Sequence, residues 1–282
     1  MFPKPIEHSS RSWQLTYQSL IPVALVAWLL PLIAVAVFSM KPDADFTSGN
    51  YWGMPSAFAG FDNYGKVFFQ SDMPRYLMNS VLITVPTVIG AVALSCMTGF
   101  ALGIYKFKAN LWIFFMFVAG NFVPFQILMV PVRDLTLDLG LYNTKMGLVL
   151  FHIAFQTGFC TLFMRNFIRA LPFELIEAAR VEGVAEWRIF WYIVLPLMKP
   201  AIAALSVLIF TFIWNDYFWA VVLTQGAESQ PVTAGITSFN AQYRAAYNLM
   251  SAGSIVAALP PVAMFFLMQR HFIAGLTLGA VK

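Results

Sequence analysis

The sequence predicts an all-α membrane protein with six transmembrane helices and both termini in the cytoplasm. Three observations support this fold class. The 282 residues are 60% hydrophobic and only 11% charged, whereas a soluble domain carries about 25% charged residues because its surface must face water. Six apolar segments are long enough to cross a bilayer, and the basic residues are concentrated in one set of the segments that join them.

Each predicted span contains about 20 mostly apolar residues, the length that a helix needs to cross the hydrocarbon core. The spans cover about 15–40, 76–105, 111–131, 146–167, 199–223 and 251–269. The first apolar run is longer than the core of a cleaved signal peptide, so we expect it to be retained. We expect residues 1–282 to form one transmembrane domain, with a cytoplasmic loop at 168–198 and a cytoplasmic tail at 270–282.

The distribution of Lys and Arg predicts the orientation, because cytoplasmic segments are enriched in basic residues. With both termini inside, 11 of the 17 basic residues are cytoplasmic and 6 lie outside. The cytoplasmic ones are Lys4, Arg11, Lys106, Lys108, Arg165, Arg169, Arg180, Arg188, Lys199, Arg270 and Lys282. This bias explains the basic composition without nucleic acid as a partner.

Several spans contain helix-breaking or small residues. The prolines are Pro86, Pro124, Pro131, Pro260 and Pro261. Each proline frees a helical carbonyl, which must find a partner in a neighbouring helix or in water. Gly99-x-x-x-Gly103 places two small residues on one helix face, as close helix packing requires.

The outer loop at 41–75 contains a near match to a phosphate-binding loop. The spacing from Gly60 to Gly65 and Lys66 is close to the required pattern. The next residue must be Ser or Thr to bind magnesium, but here it is Val67. We therefore expect no nucleotide site in this stretch.

The segment 171–200 predicts two short helices separated by a sharp turn. Pro172 suits the first turn of a helix, where its missing N–H costs nothing. Gly183 can adopt the positive φ that ends a helix. A second helix is expected from about Ala185, and Pro196 is expected to mark the bend into the fifth span.

The first of these helices has a mixed-charge surface with small residues. Glu177 lies three residues before Arg180, within reach of an ion pair. Ala178 and Ala179 would let the backbone of another protein approach closely. From these residues alone, a docking surface and an idle hairpin at the membrane interface are equally compatible with the sequence.

The spacing of this loop resembles the EAA loop of ABC importer permeases, E-A-A-x3-G-x9-I-x-L-P. The matching residues are Glu177, Ala178, Ala179, Gly183, Ile193, Leu195 and Pro196. Three further stretches, 139–144, 214–219 and 275–282, resemble the MalG-like branch of sugar-importer permeases. The resemblance covers essentially the whole chain.

This resemblance implies a type I ABC importer permease fold in a multi-pass protein of the bacterial plasma (inner) membrane. The implied partners are a MalF-like second permease, a homodimeric MalK-like ATPase, an external sugar-binding protein and membrane lipid. ATP and magnesium would be used by the ATPase, so this chain would bind no cofactor and have no catalytic residue or metal site. Helix 173–182 would dock in a cleft of the ATPase. The implied coupling residues are Glu174, Glu177, Ala178, Ala179, Arg180 and Gly183.

Candidate pathway residues are polar or aromatic groups within the predicted spans. They are Asn121, Gln126, Gln156, Trp214, Asn215 and Asp216. For each of them, the alternative is an interhelical hydrogen bond or packing. Asp216 would otherwise pair with Arg244 or lie at the outer interface, and the lone His152 is expected to be hydrogen-bonded.

The same features argue against two other classes of membrane protein. A proton- or sodium-coupled transporter usually carries ionisable relay residues inside the membrane, and often an internal repeat. Asp216 is almost the only such residue here. A membrane-embedded enzyme would need paired intramembrane carboxylates or a motif such as His-Glu-x-x-His or Gly-x-Ser-x-Gly, and the sequence contains none of these.

Overall fold

The computed structural model describes residues 10–242 and 246–278, and this part of the chain is helical without β-strands. The helices are α1 (Arg11–Met40), α2 (Asp43–Thr47), α3 (Gly60–Phe69), α4 (Met73–Ile104), α5 (Asn110–Gly120), α6 (Met129–Asp138), α7 (Lys145–Ile168), α8 (Phe173–Val181), α9 (Glu186–Arg188), α10 (Leu195–Leu197), α11 (Lys199–Trp214), α12 (Phe218–Leu223), α13 (Val232–Gly235), α14 (Ser238–Gln242) and α15 (Tyr247–Leu278). A 3₁₀ turn occupies Phe125–Leu128 and a π-helix occupies Ile189–Val194.

In this part of the chain, four helices are long and apolar enough to cross a membrane: α1, α4, α7 and α15. Two further pairs of consecutive helical segments, each bent at a short break, bring the number of candidate spans to six if each pair counts as one span. Asn110–Gly120 and Phe125–Asp138 meet at 88°, and Glu186–Leu197 and Lys199–Trp214 meet at 73°. The chain is therefore a helical membrane protein with four to six candidate spans.

The structure divides two segments that the sequence predicts as uninterrupted spans. Within 111–131, α5 ends at Gly120 and a 3₁₀ turn follows Pro124, which has no N–H to continue a helix. Within 199–223, α11 ends at Trp214 and α12 begins at Phe218. At the other end of the chain, α15 continues to Leu278 through the predicted start of the tail, and residues 279–282 lie outside the described part.

One compact unit comprises the described residues up to 71 together with 239–242 and 246–256. Its buried Lys41 donates from Nζ to the Asn50 and Tyr51 carbonyls at 2.8 and 2.9 Å. Asn63 Nδ2 donates to the Ser39 and Lys41 carbonyls. These bonds give the predicted outer loop an ordered polar core.

The near match to a phosphate-binding loop lies in this unit and is helical. Gly60–Phe69 forms α3, so its backbone amides are not arranged as a loop around an anion. Lys66 pairs with Asp62 at 2.7 Å, and Val67 is buried. The stretch is therefore a helix and not a phosphate-binding loop.

The second unit comprises 72–238 and the described residues from 257 onward, and its core lies between α4, α7 and α11. A Cβ on Gly99 would lie 3.0 Å from the Arg165 backbone nitrogen, and a Cβ on Gly103 would lie 3.2 Å from Ile168 Cγ2. The two glycines therefore form the close-packing face that their spacing predicts. Because Gly99 faces Arg165 and Gly103 faces Ile168, α4 and α7 run in the same direction.

Candidate coupling loop and transport pathway

The predicted first helix of the loop is present as α8, Phe173–Val181, and it begins after Pro172. Ile176 and Ala179 are buried against the core of the second unit. Glu174 lies in the first turn, where a carboxylate is favoured by the partial positive charge of the helix end. The sequence thus defines a short amphipathic helix with one face held by the bundle.

Gly183 ends α8 in a Schellman arrangement, with a φ of +75°. The Gly183 N–H donates to the Arg180 carbonyl and the Val184 N–H donates to the Ala179 carbonyl, both at 3.0 Å. These two bonds satisfy carbonyls that the helix end would leave without partners. The prediction that Gly183 terminates the helix is confirmed.

Arg180 forms its ion pair with Glu186, whereas Glu177, three residues before Arg180, acts on it only through its charge. Its Nε–H donates to Glu186 Oε1 at 2.6 Å and its Nη2–H donates to Oε2 at 3.1 Å. The Tyr105 hydroxyl donates to the same Oε2 at 2.9 Å. The hydrogen bond from Arg180 lowers the pKa of Glu186, and the hydrogen bond to Glu186 raises the pKa of Arg180. This network connects α8 to α9 and to the end of α4.

The outward face of α8 differs from the sequence expectation at one alanine. Ala178 is exposed together with Glu174 and Glu177, but Ala179 is only 7% exposed. Ala179 faces inward because it follows Ile176 by three residues and shares its face. Val181 is 88% exposed and adds an apolar group beside Glu177, which precedes it by one turn. Sequence reasoning missed Val181, although this helical spacing was a signal for it.

The second half of the loop is a continuous helical segment with a bend. It runs through α9, the π-helix and α10, with Ile189, Phe190 and Val194 buried against the core. The 73° bend falls at Met198, between Pro196 and Pro200, which both lack an N–H. The bend is two residues beyond the position that the sequence predicts. The loop is thus a packed element joined directly to α11.

Two breaks in apolar helices meet in the second unit. One break precedes the 3₁₀ turn at Phe125 and the other precedes α12 at Phe218, and these two rings contact edge to face at 5.0 Å. Of the predicted pathway residues, Asn121, Gln126 and Asn215 are exposed at these breaks. Broken helices that expose polar groups are common at substrate sites of transporters.

The remaining predicted pathway residues are less accessible. Trp214 is 2% exposed, and its Nε1–H donates to the Ala257 carbonyl at 3.0 Å. Pro261 cannot donate to that carbonyl because it lacks an N–H, so Trp214 supplies the missing partner. Trp214 therefore makes an interhelical hydrogen bond, which was the alternative for each pathway candidate. Gln156, on α7, is half-buried.

Asp216 caps the helix that follows the second break. Its carboxylate accepts the Trp219 and Ala220 N–H groups at 3.4 and 3.0 Å. One carboxylate oxygen lies 3.5 Å from His152 Nε2. Asp216 is therefore engaged within the bundle, and the alternative partner Arg244 lies outside the described residues.

Apolar helices broken at adjacent polar sites occur in membrane transport proteins. The chain belongs to the family of binding-protein-dependent transport system inner membrane components, whose family model matches residues 95–277. It is therefore a permease component of a transport system, and a multi-pass membrane protein.

Individual relatives agree with this assignment. The chain is 32% identical to the osmoprotective compounds uptake permease protein GgtD of Synechocystis sp., over 94% of this chain and 90% of that protein. It is 32% identical to the arabinooligosaccharides transport system permease protein AraQ of Halalkalibacterium halodurans, over 96% of both chains. A solved bacterial ABC transporter involved in the import of alginate contains a chain with the same fold, with a TM-score of 0.81. The two chains are 22% identical, and the match covers 95% of this chain and 100% of that chain.

Proposed function

We propose that this chain is one permease of an ATP-driven importer that moves a sugar, an oligosaccharide or a sugar derivative into the bacterial cytoplasm. The observation that carries the proposal is the loop of α8 and α9, closed by Arg180 and Glu186 and anchored to α4 through Tyr105. A loop built in this way moves as one body, so a displacement applied to α8 would reach the transmembrane helices.

The outward face of α8 is the docking surface for a separate ATPase in this proposal. Glu177 and Glu174 supply negative charge, and Ala178 leaves room for a partner's backbone beside the exposed Val181. A homodimeric MalK-like ATPase would use ATP and magnesium, and a MalF-like permease would complete the pathway. ATP binding would bring the two docking loops together and open the pathway to an external binding protein, and hydrolysis would reset it.

The sugar class is supported by the relatives and by the chemistry of the two breaks. AraQ is named for arabinooligosaccharides, and the transporter with the similar fold is described as an alginate importer. Exposed amides at Asn121, Gln126 and Asn215 are suitable partners for sugar hydroxyls. We place the pathway at these breaks.

Reconstitution of the full complex in liposomes tests this function. ATP sealed inside should drive uptake of the sugar that most stabilises the associated binding protein in a thermal-shift panel. Vanadate should abolish uptake, and a protonophore should leave it unchanged while ATP is maintained. Uptake that stops with the protonophore and resists vanadate would instead identify an ion-coupled transporter.

A further inference from the structure

A basic cavity of about 740 Å³ lies where α4 and α7 end and α5 begins. Four of its lining residues are basic, and none of them is acidic. The basic residues are Lys106, Lys108, Arg165 and Arg169. The cavity is separate from the two helix breaks and from the outward face of α8.

Arg165 places a charged group inside this cavity without a counter-charge. The residue is only 8% exposed, its Nε–H donates to the Leu102 carbonyl at 3.1 Å, and its guanidinium carbon lies 3.9 Å from the centre of the Phe114 ring. In the described part of the chain, no carboxylate oxygen lies within 4.0 Å of this side chain. Buried charges in proteins are usually paired, because desolvation of an unpaired charge costs several kcal/mol. Among the described residues, the Arg165 guanidinium is thus contacted by a carbonyl and an aromatic ring rather than by a carboxylate.

The other three basic residues of the cavity lie near the ends of α4 and α7 and add to the positive charge of Arg165. Lys106, Lys108 and Arg169 are exposed and, among the described residues, have no ion-pair partner. Because α4 and α7 run in the same direction, their ends lie at the same surface of the bilayer. A cavity at that surface would be within reach of the lipid head groups.

We propose that this cavity binds a phosphate group, supplied by the head group of an anionic membrane lipid or by free phosphate. A planar guanidinium beside two flexible ammonium groups suits phosphate oxygens, since Arg forms paired hydrogen bonds and Lys supplies point charges. Basic pockets between transmembrane helices on the cytoplasmic side are suited to anionic head groups. The proposal does not depend on the transported substrate.

Native mass spectrometry of the purified full-length chain tests the site, with phosphatidylglycerol, phosphatidylcholine and inorganic phosphate titrated separately. Phosphatidylglycerol should bind saturably and more tightly than phosphatidylcholine. The double variant Lys106→Gln/Lys108→Gln should weaken this binding about thirtyfold, because each basic residue near a membrane surface contributes about 1 kcal/mol. Inorganic phosphate that binds with the same dependence on the variant also supports the site and identifies free phosphate as a source.

A matched control removes the same charge elsewhere on the predicted cytoplasmic face. Arg188→Gln/Lys199→Gln should bind phosphatidylglycerol as the wild type does. Equal binding by the cavity variant and the wild type, or equal losses in both double variants, would overturn the proposal. Arg165→Gln should weaken binding further; if this variant does not fold, the exposed lysine pair still decides the question.

Discussion

Arg180 and Glu186 form a bidentate ion pair across the turn at Gly183, with 2.6 Å between Nε and Oε1. The pair connects the last turn of α8 to the first turn of α9, and Tyr105 connects Glu186 to the end of α4. The orientation of α8 is therefore determined by contacts on both sides of the turn. A docked partner would meet a surface whose position depends on this pair.

Removing the carboxylate of Glu186 should uncouple the loop from α4. We expect Glu186→Ala to lower binding-protein-stimulated uptake by up to about fivefold, since the loss of about 1 kcal/mol in loop orientation corresponds to this factor. Membrane insertion should be unchanged. Glu182→Ala is the matched control, because Glu182 is exposed at the end of the same helix. Equal uptake by the two variants would contradict this role of the pair.

The Arg180–Glu186 pair should also respond to acid. The hydrogen bond from Arg180 holds the pKa of Glu186 below its ordinary value of about 4.5. The pair therefore stabilises the loop above that value, and this contribution is lost as the pH falls through the lower folded pKa. Since both side chains are partly exposed, the contribution is about 1 kcal/mol or less.

Hydrogen exchange of the 173–188 amides, corrected for intrinsic rates, measures this effect. The extra protection of the wild type over Glu186→Gln should be constant from about pH 7 to pH 5 and should decrease below about pH 4.5. A difference that grows on acidification would have the wrong sign for a carboxylate with a lowered pKa.

The turn at Gly183 should tolerate asparagine better than valine. No atom lies within 4 Å of a Cβ built on Gly183, so the cost of substitution comes from its φ of +75°. The left-handed region costs an ordinary L-residue about 1–2 kcal/mol, and asparagine adopts it more readily. We expect Gly183→Val to lower both the protection of the 173–188 amides from hydrogen exchange and the uptake of substrate more than Gly183→Asn does. Similar losses in both variants would point to a contact of Gly183 rather than to its backbone conformation.

The packing of α4 on α7 should be sensitive to a single methyl group. A Cβ at Gly99 would lie 3.0 Å from the Arg165 backbone nitrogen, which belongs to a helix and cannot rotate away. We expect Gly99→Ala to shift the helices apart and to lower the temperature at which the purified protein aggregates in detergent. Gly120→Ala is the control, because nothing lies within 4 Å of its Cβ position. Equal aggregation temperatures for Gly99→Ala and Gly120→Ala would show that a small shift of the helices relieves the contact at Gly99.

Local signals in the sequence predicted the loop well. Pro172 and Gly183 act on their own backbone, and both mark the ends of α8 where expected. The Arg180–Glu186 pair was not predictable in the same way, because its geometry exists only after the turn has formed. Helical spacing alone indicated Glu177 as the partner of Arg180.

The spans were predictable only in part, because an apolar composition does not show whether the helix is continuous across the segment. The segment around Pro124 is apolar enough for a span, yet its backbone turns there. Pro261 indicated a freed carbonyl, but nothing in the sequence identified Trp214 as its donor. The basic residues of the cavity form two pairs, Lys106 with Lys108 and Arg165 with Arg169, and only the packing of α4 on α7 brings the two pairs together.

In the proposed function, the outward face of α8 docks a separate ATPase. Binding-protein-stimulated ATP hydrolysis by the reconstituted complex measures this most directly, with Glu177→Lys compared with Asp43→Lys, which makes the same charge change in the predicted outer loop. We expect Glu177→Lys to lose most of the stimulation while it inserts normally, and Asp43→Lys to retain it. Full stimulation in Glu177→Lys would contradict the account.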